Sequence, residues 1–143
     1  MGNGSHRVRR IAIIGEFDQN FEPHPATTTA IQHAASSLGT EVDAVWISTA
    51  GLELADLSSY GGYWIAPGSP YKDLDRTLAV VRHARETGIP LLGTCGGYQY
   101  VVLEIARNIL GLTDTQHAEH DPYASSLFIS ELACSLAGQV LKI

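Results

Sequence analysis

Ile11, Ala12, Ile13 and Ile14 form a nearly unbroken apolar run close to the start of the chain. A strand with one wet face alternates apolar and polar residues. A run without alternation needs apolar cover on both faces, as in a parallel sheet lined by helices. The run reads as a strand over 8–15, and the rest of the chain repeats the demand. Pro25 opens a helix with Ile31, Ala34, Ala35 and Leu38 on one face and Gly39 at its stop. A second strand covers 41–47. A turn at Tyr60-Gly61-Gly62 leads into a third strand over 62–66, which ends in Pro67-Gly68. A helix over 72–87 turns Leu74, Leu78 and Val81 inward and closes at Gly88 and Pro90. A fourth strand spans 89–93. The helix over 97–110 carries Tyr98, Val101, Val102, Ile105 and Ile109 at helical spacing and ends at Gly111. Segments 125–130 and 139–143 read as further strands. Strands alternating with helices predict an α/β fold, an open, mostly parallel sheet flanked by helices on both faces. In such sheets, sites lie at the carboxyl ends of the strands.

The 143 residues suffice for one domain with a real core, and 45% hydrophobic against 17% charged residues argues against disorder. Residues 1–7 read as a flexible leader, and 8–143 as a single domain. The formal charge is −6 even though Arg7, Arg9 and Arg10 cluster at the start, so a nucleic-acid footprint is not expected. No apolar run approaches the roughly 20 residues of a membrane helix. The two cysteines, Cys95 and Cys134, make no disulfide framework, which predicts a cytoplasmic protein with free thiols. Cys134, among Leu132, Ala133 and Leu136, reads as a small buried hydrophobe.

The most informative stretch is Leu91-Leu92-Gly93-Thr94-Cys95-Gly96-Gly97-Tyr98-Gln99. A strand stops at small residues, a cysteine follows at once, and glycines lead into a helix. This is the strand-to-helix elbow that displays a nucleophile, with Cys in place of Ser. The turn is sharp and brings neighbouring backbone close, so side chains must be absent around it. Cys95 would stand at the N-terminus of the following helix, where negative charge on sulfur is favoured. The Gly96 N–H would face the same space and could hold an oxyanion. A buried cysteine in a tight turn is the plainer reading of the motif by itself; the apolar strand before it and the periodic helix after it favour the elbow.

Tyr63-Trp64-Ile65-Ala66-Pro67-Gly68-Ser69, then the run from Ala84 through Gln99, then Glu104-Ile105-Ala106-Arg107-Asn108, together resemble the class I glutamine amidotransferase domain, above all the C-terminal glutaminase region of CTP synthase. The likeness runs roughly from residue 8 to 121. It implies a flavodoxin-like fold and glutamine, or a related amide, as small-molecule substrate. It places Cys95 on the nucleophile that takes the γ-glutamyl group and releases ammonia. It places Gly68, with Ser69 and with Gly96 beside the nucleophile, on the oxyanion-binding backbone. Gln99 falls on a glutamine-contacting position, and Glu119 on the carboxylate that receives the substrate's α-amino group. A synthase or ligase partner is implied, since the amidoligase part is absent from this chain. No metal and no cofactor is implied, and a homo-oligomer is left open.

The departures are specific. The family's Pro-Gly-Gly loop is Pro67-Gly68-Ser69-Pro70 here, and Pro70 has no N–H to donate. The elbow's Cys-Leu-Gly-Met-Gln is Cys95-Gly96-Gly97-Tyr98-Gln99. Gly-Lys-Tyr after the first strand is Gly15-Glu16-Phe17, an anion in place of a cation. The catalytic His-x-Glu far downstream has no counterpart, because the last histidine is His120. These features point to a side branch related to CTP synthase, with a domain lacking its C-terminal part, a base from another chain, or a non-standard site. His117-Ala118-Glu119-His120 raises three alternatives: His117 or His120 assisting Cys95, a metal site, or a polar loop with Glu119 toward the pocket. Glu16, ending the first strand at the same sheet edge as Cys95, could hydrogen-bond the thiol as in related intracellular-protease-like cysteine proteins. A non-catalytic binding module on the same fold, and a thiol hydrolase using Glu16 or His117, stand as rival functions.

Overall fold

The computed structural model describes residues 8–68, 70–117 and 127–129. Four parallel strands form one sheet: β1 (Arg9–Ile14), β2 (Val42–Ile47), β3 (Gly62–Ile65) and β4 (Leu91–Gly93), in the order β2-β1-β3-β4. Helices α1 (Pro23–Ser37), α2 (Leu74–Thr87) and α3 (Gly96–Asn108) connect them or follow, with a 3₁₀ turn at Leu54–Leu57. Two short strands, β5 (Gln116–His117) and β6 (Leu127–Ile129), pair in parallel as a separate ribbon. β5 was not anticipated, since its residues read as a polar loop. Of the strand expected over 125–130, residues 127–129 are described and form β6, while segment 139–143 and Cys134 lie outside the described residues.

The side-chain period of two divides β1 between two cores. Ala12 and Ile14 face α2 and α3, together with Tyr63, Ile65, Leu78, Val81, Ala84, Tyr100 and Leu103. Ile13 faces α1 and packs with Ile31 and Ala66, with Ile11, Trp46 and Trp64 at the margin. The unalternating run at the start of the chain is thus covered on both sides. Trp46 also donates from Nε1 to Thr28 Oγ1 at 2.9 Å, pinning α1 to β2.

Helix ends follow local chemistry. α1 starts at Pro23 rather than Pro25, and both prolines fall in its first turn, whose N–H groups have no helical acceptor. α2 starts at Leu74, with the Asp73 carboxylate accepting from the Arg76 N–H, and stops at Gly88 with φ 73°.

Two helices present a face that differs, on α1 only in part, from the one their apolar residues suggest. On α1 the buried positions are His24, Thr27, Ile31 and Ala35, while Ala34 and Leu38 are exposed. On α3 the buried positions are Gly96, Gly97, Tyr100, Leu103, Glu104 and Ala106. Tyr98, Ile105 and Ile109 are exposed. The cause on α3 is steric. A Cβ on Gly97 would stand 2.1 Å from the Ile65 carbonyl oxygen and 3.0 Å from that of Ala66. Only a glycine lets the helix come so close, so Gly97 must face β3. Positions three and seven residues on, Tyr100 and Glu104, then turn inward with it. Glu104 is tolerated there because Arg85 of α2 meets its carboxylate with two N–H groups, at 2.8 and 3.2 Å, and the Asn108 amide adds a third bond at 3.0 Å.

Gly97→Ala is therefore expected to cost more than about 3 kcal/mol in urea denaturation, beyond ordinary overpacking, because the clash is with backbone. Gly88→Ala, with open space around its missing Cβ, is expected to cost only about 1 kcal/mol for its left-handed backbone. Equal losses in the two variants would contradict the packing role of Gly97.

Candidate active site

β4 ends at Gly93, and Cys95 follows as the N-cap of α3 with φ 53° and ψ −121°. Among the described residues it is the only non-glycine with positive φ. A side chain at such a dihedral pair costs on the order of 1–3 kcal/mol and persists only where its surroundings impose it. Here the impositions are visible. The Thr94 N–H donates to the Ile65 carbonyl at 3.3 Å, and the Gly97 N–H donates to the Thr94 carbonyl at 2.9 Å. Trp64 Nε1 donates to Thr94 Oγ1 at 2.9 Å. Thr94 is thus tied to β3 twice and closes the turn onto Gly97, and the thiol is left exposed. The Gly96 N–H opens α3, so it lies outside the helix's own hydrogen-bond ladder.

The Pro67-Gly68 loop leaves the end of β3, the strand beside β4. Gly68 has φ 93°. Its conformation is backed on one side by Phe21 Cε1 and His24 Nε2, which a Cβ would meet at 3.2 and 3.4 Å. The Tyr71 hydroxyl donates to the Ala66 carbonyl, and the Tyr71 ring packs on Tyr100 with centroids 4.8 Å apart. A cavity of about 250 Å³ opens here, lined by Glu16, Phe21, His24, Pro67, Gly68 and Tyr71 among others. It lies between the carboxyl ends of β1 and β3. The chain runs from β1 outward to β2 and returns past β1 to β3, so this is the switch point where sheets of this kind take ligands. Ser69 lies outside the described residues.

Glu16 does not reach toward the thiol. Its Oε2 accepts from Ser48 Oγ at 2.6 Å, and its Oε1 accepts from the Thr49 N–H at 3.0 Å and from Thr49 Oγ1 at 2.5 Å. The Lys72 N–H adds a long contact at 3.5 Å and the Lys72 ammonium stands 3.8 Å away. The carboxylate knits the end of β2 and the approach to α2 onto the end of β1. Burial pushes its pKa up, but the hydrogen bonds from Ser48, Thr49 and Lys72 outweigh that and hold it below the usual carboxylate range.

Gln99 stands one turn beyond Cys95 and His117 comes to it from β5. His117 Nε2 and Gln99 Oε1 are 2.8 Å apart, and the imidazole, buried, stacks on Tyr100 at 5.4 Å. Arg107 donates to the Thr115 carbonyl at 2.7 and 3.0 Å, fixing the segment that delivers β5. His117 is therefore part of a buried strand rather than of a polar loop. Glu119 and His120 lie outside the described residues.

Sequence reasoning missed His24. It sits in the first turn of α1, buried, with Nδ1 accepting from the Asp18 N–H at 2.9 Å and Nε2 2.8 Å from the Pro67 carbonyl. Its partners are both backbone groups, so no side-chain motif could have marked it.

These elements define an α/β domain that displays a thiol on a strand-to-helix elbow beside a left-handed glycine loop. The chain belongs to the class-I glutamine amidotransferase family, whose model it matches over residues 24–130. It is 33% identical over 120 residues to a CTP synthase of Encephalitozoon cuniculi, covering 84% of this chain and 22% of that one. It is 36% identical over 126 residues to a CTP synthase of Cyanothece sp., covering 85% and 23%. The chain thus spans less than a quarter of the length of these synthases. The solved glutaminase domain of Trypanosoma brucei CTPS, with bound acivicin, shares the fold at a TM-score of 0.71 and 23% identity, over 83% of this chain and 48% of that one.

The lowered Glu16 pKa carries a sign. A carboxyl lowered on folding stabilises the protein fully above its unfolded pKa of about 4.3, and the contribution fades as pH falls through the lower folded value. In urea titrations the stability gap between the native protein and Glu16→Gln should be constant near neutrality and shrink below about pH 4.3. A gap that widens on acidification would reverse the assignment.

Proposed function

We propose that this domain hydrolyses the side-chain amide of glutamine, or a closely related amide, at Cys95. The observation that carries the reading is the strained elbow, which holds an exposed thiol at the start of α3 with φ 53° and ψ −121°. The thiolate attacks the amide carbon. The tetrahedral oxyanion takes hydrogen bonds from the backbone N–H groups of Gly68 and Gly96, with Ser69 beside them. The C–N bond breaks, a proton goes to the leaving nitrogen, and ammonia departs. Water then cleaves the γ-glutamyl thioester, giving glutamate and restoring the thiol. Gln99 and Glu119 hold the amino-acid end of the substrate. The ammonia passes to a synthase or ligase partner in a cytoplasmic setting. No helix among the described residues is long and apolar enough to cross a membrane.

A second reading is a binding module that keeps the pocket and has no turnover. It draws support from a specific feature: of the two candidate bases, Glu16 is bound by Ser48, Thr49 and Lys72, and His117 is turned to Gln99. A third, a thiol hydrolase using Glu16 or His117 on another substrate, meets the same engagement.

A diazo-ketone glutamine analogue separates the readings. Incubation at mildly alkaline pH should add one adduct by intact mass, absent in Cys95→Ala, and ammonia release from glutamine should fall by at least about 10³-fold in that variant. An unlabelled Cys95 beside a labelled control glutaminase would end the glutaminase reading. Labelling without ammonia release would favour the binding module.

A further inference from the structure

We infer that His24 is a positioning residue that aims the Gly68 N–H at the developing oxyanion; this rests on the reaction proposed above. The inference starts from the peptide unit that joins Pro67 to Gly68. Its carbonyl belongs to Pro67 and its N–H to Gly68. In a trans peptide these two groups point in opposite directions within one plane. Whatever holds the carbonyl on one side therefore holds the N–H on the other. His24 Nε2 stands 2.8 Å from that carbonyl oxygen, across 43 residues of sequence.

The protonation state of the ring follows from its partners. Nδ1 faces the Asp18 N–H at 2.9 Å, so it must be an acceptor. Nε2 faces a carbonyl oxygen, so it must be a donor. Only the neutral ring with its proton on Nε2 satisfies both. The plane of the ring is fixed as well. Trp46 lies against it with centroids 4.7 Å apart, Phe21 meets it edge-on at 4.8 Å, and Phe17 stacks at 6.0 Å. His24 is 5% exposed, so both of these bonds are largely shielded from solvent.

Gly68 needs this support. Its φ of 93° is open to glycine alone, and a glycine after such a loop also tolerates the peptide rotated the other way. In the rotated form the Gly68 N–H would point back toward Phe21 and His24. The bond from Nε2–H opposes that rotation. It also polarises the peptide, which strengthens the N–H on its far side as a donor. His24 thus acts on the reaction without touching the substrate.

Three measurements test this. In steady-state glutaminase assays, His24→Leu should lower kcat about 10- to 100-fold, somewhat less than deleting an oxyanion donor outright, with KM within about threefold. His24→Gln, whose amide can still donate to the Pro67 carbonyl, should recover most of the loss. Alkylation of Cys95 by iodoacetamide, which needs no oxyanion site, should proceed equally in all three proteins. An unchanged kcat in His24→Leu, or a folded His24→Gln as slow as His24→Leu, would overturn the inference. Should His24→Leu fail to fold, a folded His24→Gln that has lost most of the native kcat, or a native His24 ring carrying its proton on Nδ1, would still overturn it. Nitrogen-15 spectra of the imidazole should show the neutral Nε2–H form for His24, and the exchange rate of the Gly68 amide should change in His24→Leu but not in His24→Gln, while the β1 amides stay protected in both. A ring protonated on Nδ1, or Gly68 exchange indifferent to His24→Leu, would refute it. These last readouts need no turnover. A native protein that never hydrolyses glutamine but shows both would reject the proposed reaction and leave the His24–Pro67 tie standing.

Discussion

The contact between Gly97 and the end of β3 is the constraint on which the rest of the site depends. Helix α3 can only follow β4 so closely because a hydrogen atom stands where a Cβ would collide with the Ile65 carbonyl. That approach forces Cys95 into its unusual backbone conformation, since the chain must reverse direction within two residues. It also sets the rotation of the whole helix. Tyr100 and Leu103 enter the core, and Glu104 is carried inward with them. A buried carboxylate would be a liability by itself. Arg85 and Asn108 turn it into a bridge between α2 and α3. The segment Glu104-Ile105-Ala106-Arg107-Asn108, which in sequence looks like part of a functional signature, does structural work throughout. Glu104 ties α3 to α2, and Arg107 ties it to the strand that brings His117.

The groups that chemistry would nominate as bases are used as fasteners. Glu16 ends β1 at the right edge of the sheet, but it meets two hydroxyls and an N–H before it could meet a thiol. Those bonds stabilise its charged form, which makes it a poor proton acceptor at neutral pH. His117 supports Gln99 and Tyr100. His24, which no motif singled out, fastens the loop on which Gly68 stands. Polar groups at this edge of the sheet hold backbone in place, and the reactive atom is displayed among them.

What the sequence made legible has a physical pattern. The four strands and three helices were readable because apolar runs and glycine or proline stops are local signals, and the elbow was readable because its glycines adjoin the cysteine. Helix phase was legible only in part: on α1 Ile31 and Ala35 are buried but Ala34 and Leu38 are not, and the apolar spacing of α3 does not mark its buried face. Each carries more apolar residues than its buried face can take, so counting them could not reveal which side faces inward. That was decided by Gly97 and by the aromatic ring contacts of His24, both long-range. The same holds for Glu104, whose burial depends on a guanidinium 19 residues away. Pro23 and Pro25 were equally suitable helix openers, and no local signal separates them. β5 was invisible because a two-residue strand has no period to detect.

The elbow and the glycine loop share β3 as their common reference. Thr94 registers the nucleophile against Ile65, Tyr71 registers the loop against Ala66, and His24 holds the Pro67 carbonyl from α1. These acceptors lie on three consecutive residues of one chain segment. A displacement of about 1 Å between a nucleophile and its electrostatic support can cost about 10² in rate. Fixing both to the same few carbonyls removes the relative motion that would produce such an error, because any shift of β3 carries the two together. The strain held at Cys95 is then sustained by the same hydrogen bonds that define the site's geometry. A substitution that relaxed the strain by loosening those bonds would therefore also separate the thiol from the N–H groups meant to act with it.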